Sequence, residues 1–396
     1  MARVRAGTER IGMIEQHTLS RSDASGADTA TCLETGGPWA LAASSRADAV
    51  SNFTFRAADA ASIFVYRWVT ERSPKAVVQI AHGIAEHAGR YARLAAALNE
   101  AGYHVYANDH PGHGRTAYGP EGLGLFAEHD GWRKCVADLW GLNRRIAARH
   151  PGLPIVLLGH SMGSFMTQQF ISEHGDALAG AVLCGSSGRP APRLALVRLV
   201  AAAERLRLGP RGRSALVQAL AFGAFNKPFQ PARTPFDWLS RDSAEVDKYI
   251  TDPLCAFQPS LQLWLDFLPA LSQIARPERQ ARIPKRLPIY IIAGMHDPVG
   301  ANGKGVEQLL AAYRLAGLQH VVHRLYPGAR HELFNETNRE EVTRNLIAWL
   351  NGVAAFPRRG GSVANPEPRG GKPAYSPKPR RPPYGFSAFL SWRSQC

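Results

Sequence analysis

Three residues in this chain have the types, and stand in the order, that serine-based acyl transfer needs: Ser161, Asp297 and His331. A serine hydroxyl attacks a carbonyl only when a base takes its proton, and an imidazole serves as that base when a carboxylate orients it. Ser161 sits in Gly159-His-Ser-Met-Gly163, which fits the G-x-S-x-G turn that presents a nucleophile between a strand and a helix. The glycines have a mechanical purpose, because a side chain two residues either side of the serine would collide with neighbouring elements. Asp297 lies in Gly294-Met-His-Asp-Pro-Val299 and His331 in Pro327-Gly-Ala-Arg-His-Glu332, each just past an apolar run. Nearby rivals exist in His296 and Asp252, but the joint order and placement favour Asp297 and His331.

An oxyanion needs backbone N–H groups aimed at it. One should come from Met162, which follows the nucleophile. The other should come from the loop His82-Gly-Ile-Ala-Glu-His87, with Ile84 as donor and His82 shaping the turn rather than serving as base. Asp109-His-Pro-Gly-His-Gly-Arg115 holds metal-ligand residue types, yet no further ligand cluster at metal spacing accompanies it, so a structural loop is expected. No cofactor or metal is implied.

These residues need a scaffold that brings strand ends together. Ala76–Ala81, Tyr103–Ala107, Ile155–Leu158, Ala181–Cys184, Ile289–Ala293 and Val321–Tyr326 read as strands, Ala76–Ala81 and Ile155–Leu158 as buried ones. Helices are expected over 91–101, 132–146, 165–174, 305–315 and 339–350, and a β-hairpin over 52–68. Strands alternating with helices predict an α/β fold with a mostly parallel, doubly wound sheet, whose ligand sites collect at the C-terminal strand ends. The alternation stops between about 187 and 285, where an inserted helical cap is expected. In it, Ala195–Leu208 places Leu196, Leu199, Val200 and Ala203 on one helical face, expected to cover the site, with a membrane-resting role as the sharper alternative.

Composition sets the limits. At 396 residues and 45% apolar, the chain can bury a large core. Residues 1–48 carry no sustained period and are expected to be disordered, with Met13 as one internal candidate for the start; 49–356 form the domain. Residues 357–396 are Pro-, Arg- and Gly-rich, with eight basic residues against Glu367 for a net of +7, and are expected to be a disordered basic tail. Such a tail implies peripheral attraction to anionic membrane without specific nucleic-acid binding. The five cysteines are widely spaced and suggest neither a disulfide framework nor a zinc site, and the N-terminus lacks the apolar core of a secretory signal, so a cytoplasmic setting is expected.

His82-Gly-Ile-Ala-Glu-His-Ala-Gly-Arg-Tyr91, Asp109-His-Pro-Gly-His-Gly114, Gly159-His-Ser-Met-Gly163 and Gly328-Ala-Arg-His331 together resemble the monoacylglycerol lipase/lysophospholipase family of α/β-hydrolases, the serine aminopeptidase S33-like or PldB-like group. The resemblance covers roughly residues 50–355. It implies Ser161 as nucleophile, Asp297 as acid, His331 as base, Ile84 and Met162 as oxyanion donors, and Glu86 and Arg90 near the polar head of a small lipid ester. Animal members often carry a second histidine three residues after the base; here that position is Phe334. The expected activity is hydrolysis of the acyl ester of a monoacylglycerol or lysophospholipid. The alternatives are a peptidase or small-ester hydrolase on the same triad, and an inert hydrolase-fold interaction protein.

Overall fold

Five apolar runs dictate the architecture by being too hydrophobic for one-sided strands. In the computed structural model residues 52–355 are described; 1–51 and 356–396, with the expectations placed on 1–48 and 357–396, lie outside them. Strands β3 (Ala76–Ala81), β4 (Tyr103–Asn108), β5 (Ile155–His160), β6 (Gly180–Cys184) and β7 (Ile289–Gly294) are buried at every residue. With β8 (Val321–Tyr326) they run parallel. The hairpin β1 (Phe53–Arg56) and β2 (Ser62–Trp68) adds two antiparallel strands beside β4, giving the order β1-β2-β4-β3-β5-β6-β7-β8.

Alternate residues of each central strand feed two cores. Val77 and Leu157 join Leu139 and Ile146 of helix α2 (Gly131–Arg149), while Val78 and Leu158 join Leu94 and Leu98 of α1 (Ala92–Glu100) on the other face. The one polar side chain inside β3, Gln79, is satisfied: its amide donates to Leu139 O at 2.9 Å and its oxygen accepts from Asn143 at 3.0 Å. Helix α3 spans Met162–His174, starting three residues earlier than the apolar pattern suggested because the turn at Ser161 leads straight into it.

Between β6 and β7 come four helices of two turns or more, α4 (Arg193–Leu208), α5 (Ala215–Phe222), α6 (Ser243–Thr251) and α7 (Leu261–Ile274), and a single turn at Pro277–Gln280. Helix α8 (Lys304–Leu315) and the last helix, α9 (Arg339–Ala354), complete the fold. The expected orientation of α4 is corrected. Val197 and Ala201 face the core, where α4 packs on α7, whereas Leu196 is 52% and Leu199 68% exposed and Ala203 is exposed. Leucine, valine and alanine run all round this helix, so periodicity alone did not determine which stripe turns inward.

Candidate active site

Ser161 lies between the end of β5 and the start of α3 with φ 52° and ψ −119°, a backbone conformation that costs on the order of 1–3 kcal/mol. Its N–H donates to Cys184 O at 2.9 Å, which ties the turn to β6. The flanking glycines are required by contact. A Cβ on Gly159 would stand 2.3 Å from Gly163 O, and one on Gly163 would stand 2.1 Å from Ala81 O. Helix α3 begins at Met162, with Ser164 N and Phe165 N donating to Ser161 O at 2.8 and 3.3 Å, and the helix dipole points its positive end at the serine.

Asp297 and His331 follow β7 and β8. His331 Nδ1 donates to Asp297 Oδ1 at 3.0 Å, with both side chains buried. Val299 N also donates to that oxygen, at 2.9 Å. Burial pulls the His331 proton affinity down, but the charge and hydrogen bond of Asp297 more than reverse this, so the imidazole sits above its ordinary value. A Cβ on Gly185 would come within 2.9 Å of His331 Cε1, so the turn after β6 walls the ring, and the Trp238 ring packs 5.1 Å from it on the other side.

His82 is not part of this pair. Its ring nitrogens are occupied by Gly83 O at 2.8 Å and the His110 N–H at 3.0 Å, and burial holds it well below the usual histidine range. Asp109 is a structural clamp, accepting from Ala88 N at 2.8 Å and Arg115 N at 2.7 Å. Asp252, the other rival, pairs with His87 Nε2 at 2.9 Å. With Cys255 these two form a group of metal-ligating types, but His87 Nδ1 accepts from Gly89 N at 3.2 Å. That bond puts the proton of a neutral ring on Nε2, where it serves the carboxylate.

Glu86 and Arg90 lie beside the serine in a closed ionic frame. Glu86 Oε1 accepts from Gly83 N at 2.6 Å and from the Tyr91 hydroxyl at 3.0 Å, while Oε2 accepts from Arg90 at 2.7 Å. The same guanidinium donates to both oxygens of Glu332, at 2.8 and 2.7 Å. Burial alone would raise the Glu332 carboxyl, yet the Arg90 charge holds it below the usual carboxylate range. This frame joins the His82–His87 loop to the loop that carries His331. Sequence reasoning missed Glu332. The signal was available: an acid directly after the base, followed by Leu333 and Phe334, will be buried and so has to be paired.

Two cavities meet at Ser161. One, of about 640 Å³, is bordered by Ile84, Ser161 and Met162 and runs between α4, α5 and α7. The other, of about 400 Å³, is bordered by Ile84, Ser161 and His331 and runs under α5 and the residues around Trp238. Glu86 borders the second; Arg90 borders neither. The structure therefore places Ser161 and Ile84 at both cavities, Met162 at the larger and His331 at the smaller, with Asp297 behind His331 and Arg90 behind Glu86.

Residues 72–338 match the family described as serine aminopeptidase, S33. The chain is 30% identical to the human monoglyceride lipase over 74% of its own length and 87% of the relative's. It is 29% identical to a monoacylglycerol lipase of Mycolicibacterium smegmatis over 72% of its length and 90% of that protein's. Among solved structures, a thermostable carboxyl esterase from Bacillus coagulans, in complex with glycerol, superposes with a TM-score of 0.72 at 30% identity, covering 77% of this chain and 98% of that one. The chain belongs to the serine aminopeptidase S33 family, with the α/β-hydrolase fold, and is a serine hydrolase of the lipase and esterase kind.

Proposed function

We propose that the protein hydrolyses the acyl ester of a monoacylglycerol or lysophospholipid through an acyl-enzyme on Ser161. The observation that carries this is the buried Asp297–His331 hydrogen bond at the edge of an apolar space bordered by a strained serine. In this reading His331 takes the Ser161 proton as the hydroxyl oxygen attacks the ester carbonyl, and Asp297 steadies the resulting imidazolium. The Ile84 and Met162 amides hold the oxyanion. The tetrahedral intermediate collapses as His331 returns its proton to the departing alkoxide. Water, activated by the same imidazole, then releases the fatty acid and restores Ser161.

Glu86 and Arg90 enter as residues that shape the head-group end, since their charges are engaged with Glu332 and with each other.

A lipid substrate lies in or on membrane, and among the described residues no helix is long and apolar enough to cross one. The exposed Leu196, Leu199 and Leu206 of α4 and Leu216 of α5 supply an apolar surface beside the larger cavity. In this reading they rest on lipid, the basic residues of 357–396 add attraction to anionic headgroups, and the setting is cytoplasmic. The test is a panel of monoacylglycerols, lysophospholipids and aminoacyl amides assayed with wild-type protein and Ser161→Ala. Turnover of the lipid esters, lost in the variant, supports the proposal; turnover of the amides alone overturns it.

A further inference from the structure

The two cavities at Ser161 differ in which catalytic group borders them, and this gives the alcohol its place. During acyl transfer the base hands its proton to the departing oxygen, so the alcohol part of the ester lies on the side of His331. The cavity of about 400 Å³ is the one that His331 borders, and it therefore receives the alcohol.

Helix α5 lines that cavity with Ala215, Gln218, Ala219 and Phe222, a helical spacing that puts all four on one face. Three of them are apolar and Gln218 is the exception. Its Oε1 is buried and has no hydrogen-bond partner among the described residues, a state that costs free energy until a donor arrives. The helix does not need this side chain for its own packing, since Val217 and Ala221 make its contact with the core.

The remaining polarity of the cavity is also uncharged. Gln258 and His160 border it; His160 Nδ1 is buried without a partner, and burial pushes that ring down to about 3, so it stays neutral. Glu86 and Glu332 border it too, but both are engaged with Arg90, and among the described residues no Lys or Arg borders it. Neutral groups with unused hydrogen-bonding capacity suit the hydroxyls of a polyol.

We infer that Gln218 sets the alcohol specificity of the site: its Oε1 accepts a hydrogen bond from a hydroxyl that the departing alcohol carries in addition to the ester oxygen. The carboxamide has only to turn about its terminal torsion, which is broad, to present that oxygen to the cavity. This rests on the ester-hydrolase reading above and adds a contact on the alcohol that the triad does not supply.

The experiment measures kcat/KM of the full chain on 1-octanoylglycerol and on n-propyl octanoate, whose alcohols differ only by two hydroxyls. Gln218→Met keeps the length and apolar contacts of the side chain and removes the acceptor. It should lower the glyceryl-to-propyl ratio at least about fivefold, the worth of roughly one neutral hydrogen bond. The unequal leaving groups cancel, because wild type and variant meet the same two esters. Gln218→Ala repeats the measurement should the methionine variant not fold. A smaller change in the ratio overturns the inference, and an equal loss on both esters would make Gln218 a packing residue only. Ser161→Ala separates the two levels: if it keeps its turnover of both esters, the serine-hydrolase reading itself fails.

Discussion

The C-terminal edge of the sheet and the helices between β6 and β7 obey different rules, although both border the same space. At the sheet edge nothing has room to move. Gly159, Gly163 and Gly185 stand where any Cβ would meet its neighbours at 2.9 Å or less, and Asp297 and His331 are buried behind them. In α4 and α5, by contrast, Leu199 is 68% and Leu206 88% exposed, and the cavities run along their inner sides. Chemistry that depends on sub-ångström placement belongs on the rigid edge, and the choice of substrate belongs on helices that tolerate change. Trp238 is one point of contact between the two, since it packs on the His331 ring from within the inserted segment, and Leu239 O beside it accepts from Glu332 N at 2.8 Å.

Changes at the edge should therefore be the most damaging to turnover. Asp297→Asn should lower kcat on a soluble ester by about 10⁴, because the amide favours the wrong imidazole tautomer, while the melting profile stays close to wild type. Single-turnover kinetics with a p-nitrophenyl ester measure this. A loss below tenfold would show that another carboxylate orients His331, and the contrast with the inserted helices would weaken accordingly.

The ionic frame tests whether the two loops at the edge behave as one unit. Removing one partner of a buried pair typically costs about 3–5 kcal/mol, and Arg90 would keep Glu86 as its remaining anion, so Glu332→Ala should lie near about 3 kcal/mol. Urea unfolding reads that loss. Turnover should fall as well, because the frame also holds Gly83 and so the oxyanion loop. Destabilisation with unchanged kcat would separate the frame from the site.

The pH profile should divide the edge's stability from its activity. His331 acts as base only when neutral, and its proton is held above the ordinary value of about 6.5, with burial opposed and outweighed by Asp297. Values of kcat/KM on a soluble ester should then rise with a midpoint above about 6.5. Stability should move the other way. A histidine whose folded pKa is raised gives its full stabilisation below about 6.5 and loses it as the pH climbs through the folded value. A flat activity profile between about pH 5 and 9 would count against His331 as the base.

On the inserted helices the expected effects are smaller and concern lipid. Leu199→Glu should leave soluble-ester turnover within about threefold and weaken sedimentation with neutral vesicles in a salt-insensitive way, since it removes apolar burial. Deleting 357–396 should weaken binding to anionic vesicles at low salt alone. Unchanged binding after Leu199→Glu would leave the exposed face of α4 without the assigned role.

The same contrast explains what the sequence reveals. The edge is legible because its constraints are local: a serine between two glycines, an acid and a base each one or two turns past an apolar run. Strands buried on both faces show as unbroken apolar segments, and β3 to β7 stand where those segments do. The inserted helices are less legible because α4 is apolar on most sides, so its partner α7, and not its own pattern, selects the Val197–Ala201 stripe. The frame around Arg90 joins residues about 240 positions apart, a pairing that no local spacing announces.

The central claim is that Ser161 is the nucleophile, activated by His331. It is tested most directly by treating the folded protein with a long-chain fluorophosphonate and mapping the adduct by peptide mass spectrometry, in parallel with His331→Ala. A single phosphonyl adduct on Ser161, formed rapidly in the wild type and slowed by orders of magnitude in the variant, is the predicted result. An adduct on another residue, or labelling of Ser161 at the same rate without His331, would contradict it.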